Sequence, residues 1–523
     1  MRWRLLTVTL ILGLGLTFAV VQALQTAEVR GVVLDENGQP VEGATVRIQA
    51  TTNATTTGPD GTFTLGGLAE GVVVTVSAWK HLYYCAKVEG VVPPASGVTL
   101  TLRLYQTNDN PDYEWILPYS VDPQVMTCAT CKPVVTQIWL DNDAHARSGM
   151  NPRFLSMYNG TDTTGRPNVA QGYKMDFPNT AGVCANCHAP GAAVNALFTT
   201  DMNMLAGVNR DFGVHCDFCH KVAGVYLDPA TGLPYPNVPG VMSMDVRRPF
   251  PDSPRYQLFF GTFDDDNVPE EDTNLPLITK SQWCAACHQF SFWGTPIYQS
   301  FKEWLESPYP AMGIECQICH MPPDGVTTNV APGMGGVERD PMTIHAHTMP
   351  GAASVALLQN TVSMTISAQQ VVDVVQVTVS ITNTQAGHHV PTDFPGRHMI
   401  LVVTATDGQE QALPLQDGPV VPDWGGDVAG RPGKAFAKVL RDLNSGQEPT
   451  AAYWNPTIVV SDNRIPAFGV DTSVYEFAAP PSGLVNVEAT LIFRRAFWEL
   501  MQAKRWDKPD IVMEEETQDM VIP

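Results

Sequence analysis

The sequence predicts a multidomain protein with β-structure at both ends: an N-terminal β-sandwich over 28–104, a mainly α and irregular central domain over 105–355, and a second β-sandwich over 356–523. Three observations predict this. Residues 29–104, and the stretch beyond Leu357, alternate apolar and polar residues between turn signals such as Asn37-Gly38 and Asp407-Gly408. The middle is rich in Pro, Met and Asn and poor in long periodic runs. Ten of the 11 cysteines fall in that middle, as five Cys-x-x-Cys pairs. A chain of 523 residues is too long for one core, and 44% hydrophobic content is that of a folded protein, which excludes disorder as the default.

Residues 1–23 carry Arg2 and Arg4, an apolar run from Leu5 to Val21 and the small-residue site Val21-Gln22-Ala23. This reads as a secretory signal, with retention as a membrane anchor the alternative. Export to the periplasm or cell surface is the expected destination.

From Val29 to Leu104, GVVLDENGQPVEGATVRIQA gives two alternating runs around Asn37-Gly38, and GPDGTFTLGGL gives another turn and strand. Gly31-Val32-Val33, Gly38-Gln39-Pro40, Gly43-Ala44 and Asp60-Gly61-Thr62-Phe63 resemble the carboxypeptidase regulatory-like domain. The resemblance implies a spacer or adhesive module without catalytic residues. His81 and the lone Cys85 are expected to be buried structural residues, with an intermolecular disulfide through Cys85 the alternative.

The central pairs are Cys128/Cys131, Cys184/Cys187, Cys216/Cys219, Cys284/Cys287 and Cys316/Cys319. His188, His220, His288 and His320 follow four of them directly; Lys132 follows the first. Positions i, i+3 and i+4 share a helix face, so two thiols can reach the two vinyl groups of one haem while the histidine reaches its iron. Zinc knuckles use paired cysteines but do not require histidine after the second one, and disulfides do not explain it either. Four or five haems c per chain are therefore expected. Short helices should carry the motifs. Between the last two, Ile297, Phe301, Trp304 and Leu305 form a helical stripe that is either haem wall or plain core. The acidic run Asp264–Asp272 is expected to be a solvated loop.

An electron-carrying haem is best held by two strong axial ligands. Outside the motifs stand His81, His145, His215, His345, His347, His388, His389 and His398. Of these, His145, His215, His347 and His388 are the candidates for second ligands. The four Cys-x-x-Cys-His motifs, Trp139 with His145-Ala146, Glu303-Trp304, Cys316 to Pro322, His347 to Gly351 and Gly387-His388-His389-Val390-Pro391-Thr392 resemble the multihaem c-type cytochromes. That resemblance implies distal histidine ligands and electron transfer along a chain of haems. Asp393 departs from the pattern, which often has glycine there.

Lys132 opens an enzymatic alternative. Its deprotonation at pH 7 costs about 4–5 kcal/mol before the metal returns anything. One Cys-x-x-Cys-Lys followed by four Cys-x-x-Cys-His resembles pentahaem cytochrome c nitrite reductases in number and order, which implies catalysis at a Lys132 haem with Tyr226 as a nearby candidate. The bland reading is a fifth electron-transfer haem with an altered or absent proximal ligand. A third reading is a structural subunit of an extracellular cytochrome filament or surface complex.

Beyond Leu357, Val375, Val377, Val379 and Ile381 alternate with polar residues, as do Val485, Val487, Ala489, Leu491 and Phe493, and prolines 414, 419 and 422 break the strands. An immunoglobulin-like sandwich closed by a helix within Arg494–Trp506 is the simplest architecture. Arg431, Arg441, Arg464 and Arg494 are open to haem propionates or to ordinary ion pairs. The net charge of -22 repels nucleic acid. The expected partners are redox proteins, with homo-oligomers or filaments as further possibilities and membrane contact only through an uncleaved N-terminal segment.

Overall fold

Alternating burial organises both ends of the chain. A computed structural model describes residues 26–142, 144–251, 257–265, 268 and 271–523. The signal segment lies outside the described residues. Two compact units result, one of residues up to Ala78 together with Lys87–Leu102, the other of Trp79–Ala86 with Arg103–Pro523.

In the first unit, Thr26–Asp35 runs between Thr62–Ala69, antiparallel, and Ala95–Leu102, parallel. A second sheet orders Ala54–Thr56, Thr45–Ile48, Val74–Trp79 and Ala86–Val91. Val29, Val33, Val46, Leu65, Val76 and Leu100 are almost wholly buried between them. The Asn37-Gly38 turn forms as the sequence predicts: the Asp35 carboxylate accepts from the Asn37 and Gln39 N–H groups, and Gly38 takes φ +73°.

The C-terminal part of the second unit has two four-stranded sheets. One orders Val362–Val371, Val374–Asn383, Val470–Ala478 and Leu415–Asp417; the other orders Gly433–Phe436, His398–Asp407, Gly483–Arg494 and Ile511–Ile522. Both predicted alternating runs point inward, and Val375, Val377, Val485, Val487, Ala489 and Leu491 share one core with residues of the facing sheet. The helix Trp498–Lys504 lies within the predicted segment. Arg441, Arg464 and Arg494 pair with Glu448, with Asp462 and Glu303, and with Asp427 and Asp510 respectively.

Between these β regions, secondary structure is short and broken, and the apolar clusters are small. Three expectations change here. The stripe between the last two motifs is not one helix: Phe290–Phe292 and Thr295–Tyr298 pair as a hairpin whose turn, Trp293-Gly294, has φ +53° and +82°, and only Ser300–Leu305 is helical. Ile297 therefore lies on a strand, although it, Phe301 and Trp304 are buried. The acidic run is not a solvated loop where it is described, because Asp265 is 2% exposed and holds Arg339 at 2.8 Å. Finally, Cys85 is buried, its N–H donating to the Asp272 carbonyl, whereas His81 is exposed. No helix of the described residues is long and apolar enough to cross a membrane.

Candidate functional site

Each paired-cysteine motif occupies a helix of one or two turns: Cys128–Cys131, Ala185–His188, Cys216–Cys219, Ser281–His288 and Cys316–His320. Helices this short are not stable by themselves, so side chains must hold them. Thr127 and Thr130 cap the first reciprocally. The last two are laced together. The Glu315 carboxylate accepts from the Ser281 N–H at 2.9 Å and hydroxyl at 2.8 Å, the Cys316 N–H donates to Ser281 Oγ at 2.9 Å, and Gln317 Nε2 donates to the Ile278 and Lys280 carbonyls.

This packing brings sulfurs of different motifs together. Cys284 lies beside Cys316, Cys287 beside Cys187, and Cys216 beside Cys128, while Cys219 is within electrostatic reach of Cys284. The helix Ser281–His288 is thus a junction bordered by the motifs at 184, 216 and 316, with the 128 motif joined through 216. Close approach has a backbone requirement: at Gly240, with φ +61°, a Cβ would fall 2.8 Å from Cys187 Sγ and 2.2 Å from the Asn186 carbonyl oxygen.

The histidines form facing pairs. Ring centroids of His220 and His347 are 6.4 Å apart with planes at 32°, those of His320 and His388 6.5 Å at 20°, and those of His145 and His288 6.3 Å at 85°. A metal-bound imidazole nitrogen sits about 2.0–2.1 Å from the ion and about 1.2 Å from its own ring centre, so two imidazoles on opposite sides of one iron have centroids about 6.4 Å apart. All three pairs fit that separation. Among the described residues no group of three or more His, Cys, Asp or Glu side chains is arranged to hold a metal. Two axial imidazoles suit an ion whose four remaining positions come from a porphyrin.

Hydrogen bonds orient the rings for this task. Nδ1 of His220 meets the Phe260 carbonyl at 2.6 Å, that of His320 the Pro350 carbonyl at 2.7 Å, that of His347 the His345 carbonyl at 3.2 Å and that of His388 the His389 carbonyl at 2.9 Å. His288 Nδ1 lies 3.3 Å from Asp393 Oδ2, and His145 Nδ1 lies 2.9 Å from Met349 Sδ. A ring that donates from Nδ1 presents its Nε2 lone pair outward, as an axial ligand must. Burial, then the charge of a neighbouring imidazole, pushes His188 and His320 down to about 4 and His347 to about 3, so these rings are neutral near pH 7. His288 differs: burial opposes its charge, but the hydrogen bond and charge of Asp393 prevail and push it up to about 9.

The C-terminal β region supplies His388. The Asn383 amide donates to the His388 and Ile465 carbonyls, and buried Glu303 accepts from the His389 N–H, the Thr392 hydroxyl and Arg464, which fastens the Gly387–Thr392 loop to the helix Ser300–Leu305. Asp393 follows at φ +62°, the left-handed conformation in which aspartate is tolerated where glycine is usual.

His215 is placed otherwise than expected. It caps Cys216–Cys219, its Nδ1 accepting from the Phe218 N–H at 3.1 Å, which leaves the neutral ring's proton on Nε2, the atom a ligand must free. It is 0% exposed, and a Cβ on Gly191 would lie 2.8 Å from Nε2. His398, also 0% exposed, is packed between Trp424 and Phe497. By contrast, His145, His188, His220, His288, His320, His347 and His388 all retain accessible surface, as rings open to a bound group would. The ring face of His188 is covered by Phe154, stacked at 3.7 Å.

Lys132 lies within electrostatic reach of the His220/His347 pair and of Asp272, whose carboxyl burial pushes up. Tyr226 is 54% exposed, and its charged neighbours are Asp245 and Arg247. Sequence reasoning missed Asp393 and Met349 as ring partners; the only signal was the departure from glycine at 393, whose meaning depends on where His288 lies.

Residues 28–105 match the family model of the carboxypeptidase regulatory-like domain. No curated protein matches the chain. Among solved structures, a penta-heme cytochrome c552 from Thermochromatium tepidum is similar at 21% identity, with a TM-score of 0.52, over 75% of this chain and 97% of that one. A type II cohesin-X-dockerin complex of Acetivibrio cellulolyticus aligns at 22% identity over 16% of this chain and 58% of that one, with a TM-score of 0.14. The chain therefore begins with a carboxypeptidase regulatory-like domain and, over three quarters of its length, is similar in fold to a penta-heme cytochrome c.

Proposed function

We propose that this protein is an exported multihaem c-type cytochrome, with four or five haems, that passes electrons between redox partner proteins. The observation that carries the reading is the set of three imidazole pairs at the separation of two ligands on one iron. When bound, each haem supplies a reversible one-electron iron couple. The chain's residues do the rest. Cys184/Cys187, Cys216/Cys219, Cys284/Cys287 and Cys316/Cys319 would anchor the macrocycles, and His188, His220, His288 and His320 would be the first ligands to their irons. His347, His388 and His145 are the partners of His220, His320 and His288. Two fixed imidazoles would leave no open position for exogenous ligands and would keep reorganisation small. Neighbouring sulfurs of different motifs support short distances between cofactors. Cys128 and Cys131, with Lys132, are the fifth attachment site. Export follows from the chemistry, because haem is attached to such motifs outside the cytoplasmic membrane. The exposure of Tyr226, beside Asp245 and Arg247, favours electron transfer over nitrite reduction.

A pyridine haemochrome count and EPR of the oxidised protein test this. The expected result is at least four covalent haems, with one highly anisotropic low-spin ferric signal from the near-perpendicular pair and rhombic signals from the two nearly parallel pairs. Fewer than four haems, or high-spin iron throughout, would overturn it.

A further inference from the structure

Asp393 supplies a charged anchor where five of the other proposed ligand rings have neutral ones. His220, His320, His347 and His388 give Nδ1–H to backbone carbonyls, and His145 faces a thioether sulfur. His288 instead faces the Asp393 carboxylate, and that carboxylate is itself held: Oδ1 accepts from the Ser300 hydroxyl at 2.7 Å and the Ser300 N–H at 3.3 Å. Arg397, Lys438 and Arg464 line the same cleft. Arg464 is already matched by Asp462 and Glu303, Lys438 Nζ donates to the Pro296 and Ile297 carbonyls, and Arg397 donates to the Thr392 carbonyl.

A carboxylate that accepts from Nδ1–H pushes electron density through the ring to Nε2. That stabilises ferric over ferrous iron, so the midpoint falls. The left-handed backbone at 393 explains why aspartate can stand there; it does not explain why the side chain should be aimed at the ring that sits at the junction of three other motifs. We infer that Asp393 is a positioning residue that lowers the midpoint of the haem held by His288 and His145, making the junction a step that electrons cross and not one where they rest. This rests on the proposed function, and the spectroscopy separates the two.

The test is a potentiometric titration of the haem-loaded protein followed by EPR, in wild type, D393N and D393G. Asparagine keeps an acceptor for Ser300 and tolerates the backbone; glycine keeps the backbone and removes the group. The anisotropic signal marks the His145/His288 haem, so its midpoint is read apart from the others. Both variants should keep their haem count and shift that one reduction equilibrium at least tenfold toward the ferrous form, about 59 mV for one electron. The other midpoints should stay in place. A signal that persists with an unmoved midpoint in both variants overturns the inference and leaves the function standing. A uniform shift of all midpoints overturns it as well. A wild-type protein without the anisotropic signal would overturn the ligand pairing itself.

Discussion

At the scale of single residues, the hydrogen bond on Nδ1 sets His215 apart from His347, the proposed partner of His220. His347 and His215 are both neutral rings near pH 7, yet one donates from Nδ1 and the other accepts there. H347A should therefore leave one iron with an open face: the haem count holds, one low-spin signal is lost, and the reduced protein gains a carbon monoxide band. H215A should leave the spin state of every haem alone and cost about 1 kcal/mol in a denaturant titration, the loss of a helix cap. A new high-spin signal in H215A would show that the tautomer assignment is wrong. The proposed attachment cysteines were legible because covalent attachment of a haem demands fixed spacing in sequence. The choice among free histidines was not, because it depends on which motif ring each one comes to face across the fold: His347 meets His220 and His388 meets His320.

At the scale of elements, period-two alternation over Val375–Ile381 and Val485–Phe493 translated directly into strands, since a half-buried strand must alternate. The apolar stripe after Cys287 did not translate into a helix, because Trp293-Gly294 adopts a hairpin turn and the Trp293 indole donates to the Trp454 carbonyl at 2.7 Å. The helix Trp498–Lys504 carries a testable cost. Lys504 is 0% exposed, its Nζ donates to the Ser156 carbonyl at 2.9 Å, and burial, opposed only by the charge of Asp162, pushes it down to about 8. In the unfolded chain it returns to about 10.4. Between those values the unfolded state binds the extra proton, so stability rises with pH across roughly 8 to 10, by up to about 1.4 kcal/mol per unit. Below pH 8 both states are protonated and the penalty is fully present. K504M should remove this rise. Denaturant midpoints of the two proteins at pH 7, 8, 9 and 10 measure it, and parallel pH curves would rule it out.

At the scale of the whole molecule, the net charge of -22 sets how partners arrive. Charges this numerous steer oppositely charged proteins over a distance of about 8–10 Å at moderate ionic strength. Electron exchange with a basic donor or acceptor should be much faster than with an acidic one at low salt, and the difference should collapse as salt rises. Stopped-flow reduction by a cationic and an anionic mediator of matched potential measures it; equal rates at low salt would mean that the site of entry lies away from the acidic surface.

The sequence by itself determined which cysteines and histidines are candidates for haem attachment and where β-structure begins and ends, because Cys-x-x-Cys-His spacing and strand alternation are both local in the chain. Only the tertiary structure decided which histidine faces which and that Asp393 reaches His288. Those facts depend on atoms brought together from segments 68 to 143 residues apart, and no local pattern records such a meeting.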